Sequence, residues 1–292
     1  NFNMVDGLKN LSSKRKGILL ITASSFLFCA MQISIRFATG HIPLMQQIFF
    51  RNIITLIISF IFIKKDGASY FGGKSHQPLL FVRSGFGFLG LIAAFYASGH
   101  ALQADVSTII RLSPFMITIL ARIILKEKIS KIQIPALLIA FSGALFIVSP
   151  SFKSGILPLT AAFACAFSSS IAYTLLAYFK DKVNGMTIIM HFSCFCMVGS
   201  IPFMINNFVI PNAFDATMLL LIGVLGGFGQ IALTYAYRQQ NAGEISVYSY
   251  FSIIFSIVLG FIFLGESLPA TSILGSSLVL LAAYLVYKFS HK

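Results

Sequence analysis

"VSTIIRLSPFMITILARIILKEKIS", residues 106–130, opens with a run apolar enough to cross a membrane, yet it carries Arg111 near its start. The whole chain shares that character: 57% of its 292 residues are hydrophobic and only 10% are charged. A water-soluble domain of this size carries about 25% charged residues, so the polar side chains here cannot cover a globule. Lipid must be the main solvent. In hydrocarbon every backbone N–H and C=O needs an internal partner, which leaves helices or a closed barrel. Barrel strands would alternate apolar and polar over about ten residues. The chain instead shows unbroken apolar runs of helical span length, such as "KGILLITASSFLFCAMQISIRFA" at 16–38. The fold class expected is all-α and polytopic.

A net charge of +13 would suit nucleic acid only on a soluble basic face, which this chain lacks. Lysines at membrane edges account for it. Cys29, Cys165, Cys194 and Cys196 all sit in apolar runs without a histidine cluster. They read as small buried hydrophobes, with no metal site and no cofactor expected. Ten spans are predicted, at about 17–38, 44–63, 79–101, 106–125, 132–149, 155–178, 185–206, 214–237, 243–264 and 270–288. With the N-terminus in the cytoplasm, 17 of the 21 basic residues, Arg83 among them, fall on the inner side and Lys153 alone on the outer. Arg36, Arg51 and Arg111 remain within spans. That asymmetry predicts a multi-pass protein of the cell membrane with both termini cytoplasmic. The basic tail leads into a full-length span, not a short signal-type apolar region.

Sliding residues 85–130 forward by 139 pairs Gly87 with Gly226, Gly90 with Gly229, and Tyr96-Ala97 with Tyr235-Ala236. Ser107 meets Ser246, Ser113 meets Ser252, and Glu127 meets Glu266, all without a gap. So many matches at one shift indicate a duplication. Residues 1–150 would form the first five-helix repeat and 151–292 the second, within one integral membrane domain. Five is odd, so the second copy enters the membrane from the opposite side. Inverted repeats of this kind hold solute near the midplane between the halves. The glycine stripes at 85–90 and 223–229 read as close helix contacts.

"FFRN" at 49–52, Pro114 followed by "LKEKIS", and "LGESLP" at the matching place in the second half resemble the drug/metabolite transporter superfamily. The resemblance is to its EamA-type permeases and covers essentially the whole chain. It implies a central cavity, alternating access and a small organic solute, and it leaves the solute open.

Polar residues inside spans are costly and face the bundle interior. Thr22, Ser25, Cys29, Gln32 and Arg36 form one stripe on the first span. Ser107, Arg111, Thr118 and Arg122 form another on the fourth, and Gln47, Arg51 and Thr55 a third on the second span. The shift of 139 sets Tyr250, beside Tyr248, opposite Arg111. The candidate solute-binding residues are therefore Arg111, Tyr250, Tyr248, Arg36, Gln32, Arg51, Ser107 and Thr118. Arg36 could equally snorkel to headgroups, and Arg51 could equally fix helix packing. His191 reads best as a helix–helix hydrogen bond. No Asp or Glu is expected at mid-span, so the cavity should be electropositive and favour an anionic or zwitterionic solute.

The expected function is secondary transport of a carboxylate- or phosphate-bearing metabolite, leaning to export or exchange. Proton-coupled movement of amino acids or other neutral metabolites is the alternative. An intramembrane enzyme would rest on His191 and Cys194 alone, with no acid to orient them. A purely structural membrane protein would need neither the stripes nor the repeat. The partners expected are the solute and the lipid bilayer, not nucleic acid; monomer and homodimer both stay open.

Overall fold

The computed structural model describes residues 12–38, 40–100, 103–148, 155–265 and 270–290, so Lys153 and Glu266 lie outside the described residues. Among these the fold is all-helical, with no strand. In chain order the helices are α1 Ser13–Ala38, α2 Leu44–Asp66, α3 Gln77–His100, α4 Gln103–Ile110, α5 Ser113–Ile124 and α6 Gln133–Val148. There follow α7 Ile156–Tyr178, α8 Gly185–Met204, α9 Ala213–Ala236, α10 Ala242–Val247, α11 Phe251–Leu264 and α12 Ala270–Phe289. Eight stretches are long and apolar enough to cross a membrane: α1, α2, α3, α7, α8, α9, the combined α10–α11 stretch, and α12. The predicted fourth span falls short because it is split, and α6, at 16 residues, is below the roughly 20 a straight span needs.

The molecule is apolar outside, as lipid solvation demands, and its interior combines a hydrophobic core with many buried polar groups. On α2 the buried face includes Gln47, Arg51, Thr55 and Ser59 at every fourth residue, while Ile57 and Ile61 on the other side are more than half exposed. The buried polar groups turn inward to their own helix: Asn52 Nδ2 donates to Ile48 O (2.8 Å) and Thr55 Oγ1 to Arg51 O (2.9 Å). Helix ends carry local signals. Gly67 closes α2 at φ 62° with its N–H on Ile63 O, a left-handed position that favours glycine. Asn184 and Asn212 cap α8 and α9 through their side chains.

Packing comes in matched sets. α1 lies along α9 as α3 lies along α7, and α1 meets α11 as α5 meets α7. α2 with α8, and α6 with α12, are each their own counterpart. This is the pairing generated by exchanging the halves at the shift of 139. The α6–α12 crossing sets backbone against backbone: a Cβ on Gly143 would lie 2.6 Å from Gly275 O, so only glycine admits this approach.

Two predicted helices are interrupted at equivalent places. The expected span 106–125 breaks at Arg111–Leu112, between α4 and α5. Pro114 is the cause, since it has no N–H to donate and its ring crowds the carbonyl of residue 110. The backbone tightens instead, Arg111 N bonding Thr108 O (3.2 Å) and Leu112 N bonding Ile109 O (3.0 Å). Phe115 N goes to Leu112 O, which leaves Arg111 O outside the helical ladder. In the second half the expected span 243–264 contains a 3-10 turn, Tyr248–Tyr250. No proline stands there. Ser249 and Ser252 instead donate to the carbonyls of Ser246 (2.7 Å) and Ser249 (2.6 Å), side-chain bonds that compete with the α-helical pattern.

Candidate functional site

A cavity of about 350 Å³ lies where the two halves meet, toward the small end of ligand-pocket sizes. Helix α1 gives it Ser24, Ser25, Cys29 and Gln32, and α2 gives Gln47 and Arg51. Arg83 enters from α3, Arg111 from the break between α4 and α5, and Gln230, Ser249, Ser252 and Ser256 from the second half. Tyr173, Phe192 and Tyr237 supply aromatic wall. Among the described residues that line it there is no Asp or Glu.

Each guanidinium is held differently. Arg111, half-buried, donates from Nη1 to Ser252 Oγ at 2.8 Å. Beside it Cys29 Sγ donates to Ser252 O at 3.1 Å. Arg51 is only 7% exposed and lies against Gly226, where a Cβ would come within 2.8 Å of its Nε. The second glycine stripe thus makes room for an arginine as well as for a helix. Arg83 is 2% exposed and stacks its guanidinium over the Phe192 ring, 4.2 Å from the centroid, a cation–π contact.

Of the eight candidate solute-binding residues, Arg111, Arg51 and Gln32 line the cavity, and Tyr250, Tyr248, Thr118 and Arg36 are not among its lining residues. Tyr250 is fully buried and donates its hydroxyl to Arg111 O at 2.7 Å. It satisfies the carbonyl that the helix break leaves outside the ladder and is not among the lining residues. Tyr248 is also buried outside the lining, its ring edge-on to Phe251 and its hydroxyl without a hydrogen-bond partner. Thr118 Oγ1 is committed to Pro114 O at 2.9 Å and accepts from Gln133 Nε2 at 3.3 Å. Arg36 is exposed at the end of α1, outside the cavity, and the side chain of Ser107 lies outside the described residues. His191 does bridge helices, with Nδ1 2.8 Å from Ser84 Oγ.

Arg83 was missed. Counting basic residues near span ends put it at the cytoplasmic edge, but α3 begins at Gln77, so Arg83 is already almost two turns inside. Ser249, Ser252 and Ser256 were not read as site residues; the spacing of three between Ser246, Ser249 and Ser252 accompanies the 3-10 turn.

Toward the side predicted to be cytoplasmic, the halves are tied together. Glu127 accepts from Ala242 N (3.0 Å) and Gly243 N (3.4 Å), the first residues of α10. Burial pushes its carboxyl above the usual range, the two N–H groups pull it back, and Glu244 adds to the rise. Arg238 donates to the carbonyls of Phe179 (3.0 Å), Val183 (2.7 Å) and Lys180. Toward the opposite side Asp215 meets His41 Nδ1 at 3.3 Å, and Gln46 and Val209 exchange hydrogen bonds.

The role of Tyr250 yields a direct expectation. Tyr250→Phe leaves a buried carbonyl unsatisfied, so it should cost about 1–3 kcal/mol of stability and change anion affinity little. A melting curve with and without ligand checks it. An unchanged melting temperature with weakened binding would return the phenol to the solute.

The comparisons with known proteins agree with this geometry. The sequence profile of the EamA-like transporter family matches twice, at residues 15–149 and 156–288. The chain is 29% identical over 270 residues to the pseudopaline exporter CntI of Pseudomonas aeruginosa, covering 92% of this chain and 94% of that protein. It is 26% identical over 280 residues to solute carrier family 35 member G1 of Mus musculus, covering 90% and 75%. A solved crystal structure superposes with a TM-score of 0.84 over 96% of this chain and 99% of the other, at 15% identity, a likeness of fold. With its profile matched in both halves, the chain belongs to the EamA-like transporter family: it is a multi-pass membrane transporter of a small solute, not an enzyme.

Proposed function

We propose that the protein is a secondary transporter that moves a small anionic or zwitterionic organic solute, bearing carboxylate or phosphate, across the cytoplasmic membrane by alternating access. The observation that carries this is the cavity walled by Arg51, Arg83 and Arg111, with no acid among its described lining residues. In low dielectric a guanidinium binds carboxylate or phosphate in a planar, charge-assisted fork. Two inverted five-helix halves, ten spans in all, would rock around this site, with α4–α5 as the interrupted fourth span and α6 as a short fifth. The matched helix contacts support that arrangement, and the lysine-rich loops favour cytoplasmic termini.

Export or exchange is the favoured direction. Moving one net negative charge outward gains about 2.3 kcal/mol per 100 mV, inside negative, and one relative is itself named an exporter. Flux in proteoliposomes tests the reading. Labelled carboxylates loaded inside should leave faster when a potassium diffusion potential makes the lumen negative. Choline carried while every anion stays inert would overturn it. Flux abolished by an uncoupler but indifferent to a clamped potential would replace it with proton coupling.

A further inference from the structure

The guanidiniums of the cavity form two poles. Arg83 stacks over Phe192, which shares a buried cluster with Ile48, one turn before Arg51 on the same face of α2, so Arg51 and Arg83 stand at one end. Arg111 belongs to a different set, Cys29, Tyr250 and Ser252. Both poles carry buried nitrogens with no hydrogen-bond partner: Nε of Arg51, Nε and Nη1 of Arg83, and Nε of Arg111. Arg51 and Arg83 are each more than nine-tenths buried. A buried charge without a counter-charge is costly, and salt does little to screen it there. The Phe192 ring face offsets only part of that cost at Arg83. One carboxylate at either pole would leave the other uncompensated.

We infer that the solute carries two separate anionic groups, one held by the Arg51–Arg83 pair and the other by Arg111. This rests on the anion-transport reading above and narrows it from an anion to a dianionic class. Apolar lining such as Phe28, Leu91, Ile117 and Leu233 suits a short hydrocarbon spacer between the two charged ends. Arg83 thereby becomes a specificity-determining residue, since with Arg51 it separates solutes with two anionic ends from those with one.

Binding to the purified full chain tests this, read by calorimetry and by melting temperature. The probes are butyrate, the α,ω-dicarboxylates succinate, glutarate and adipate, 3-phosphoglycerate, and choline. The best dianion should bind at least about tenfold more tightly than butyrate, the gain from one further charge-assisted contact. Arg111→Gln and Arg83→Gln should each bring dianion affinity down to the butyrate level, because one pole survives in each. Arg83→Lys, which keeps the charge, should recover part of the difference and separates recognition from misfolding. 3-Phosphoglycerate ahead of the dicarboxylates would assign phosphate to one pole, and the reverse order two carboxylates; either supports two anionic groups. Dianions no tighter than butyrate would overturn the inference and leave anion transport standing. Choline binding with all anions inert would overturn both.

Discussion

Arg111→Ala is expected to weaken anion binding about 10- to 150-fold while the protein folds as before. The loss corresponds to one buried charge-assisted hydrogen bond, about 1.5–3 kcal/mol. Folding should survive because, among the described residues, the guanidinium makes one hydrogen bond, to Ser252 Oγ. The contact that stabilises the broken helix, from Tyr250, goes to the backbone carbonyl of residue 111, which alanine retains. Arg111→Lys should recover only part of the affinity, since an ammonium lacks the fork. Helical content and melting temperature, taken beside a binding isotherm, decide the matter. Wild-type transport by Arg111→Ala, or its failure to fold, would make the arginine structural.

A second large effect is expected far from the cavity. At the α6–α12 crossing a side chain on Gly143 runs into the backbone of Gly275, and neither helix can yield without parting from the other. Gly143→Val should destabilise by about 3 kcal/mol or more, at or beyond the upper end of overpacking costs. Gly85→Ala is the control: its Cβ would sit 3.8 Å from Phe195 Cζ, an ordinary contact, and should be close to neutral. Thermal unfolding in detergent separates the two. Equal melting temperatures would show that the crossing relaxes freely.

How legible this was in the sequence follows from what periodicity can carry. Apolar runs and lysine-rich loops report solvent, so the helices emerged with nearly correct limits. The repeat emerged because Gly, Tyr-Ala and Glu positions recur at one shift. The interruption at 111–112 had a visible cause in Pro114, but an apolar run reads through a proline when only hydropathy is counted. Arg83 was lost because basic residues near a predicted edge are counted as interfacial, and six residues into a helix still looks like an edge. Tyr250 stands beside Arg111 as the shift placed it, with its hydroxyl on a backbone carbonyl. A pseudo-twofold relation fixes where a Cα stands, whereas the rotamer follows the nearest unsatisfied acceptor, here Arg111 O. Thr118 likewise gives its hydroxyl to the carbonyl of Pro114.

The three arginines of the cavity wall have one more consequence. A protein that opens a water-filled hollow in an energised membrane risks short-circuiting it, because sodium, potassium and hydronium are driven inward wherever they are admitted. Fixed cations in a narrow passage raise an electrostatic barrier against such ions. Arg51, Arg83 and Arg111 would hold that barrier highest when the hollow is empty, and an arriving anion lowers it only by occupying the space. Recognition and insulation would then be two uses of the same three side chains.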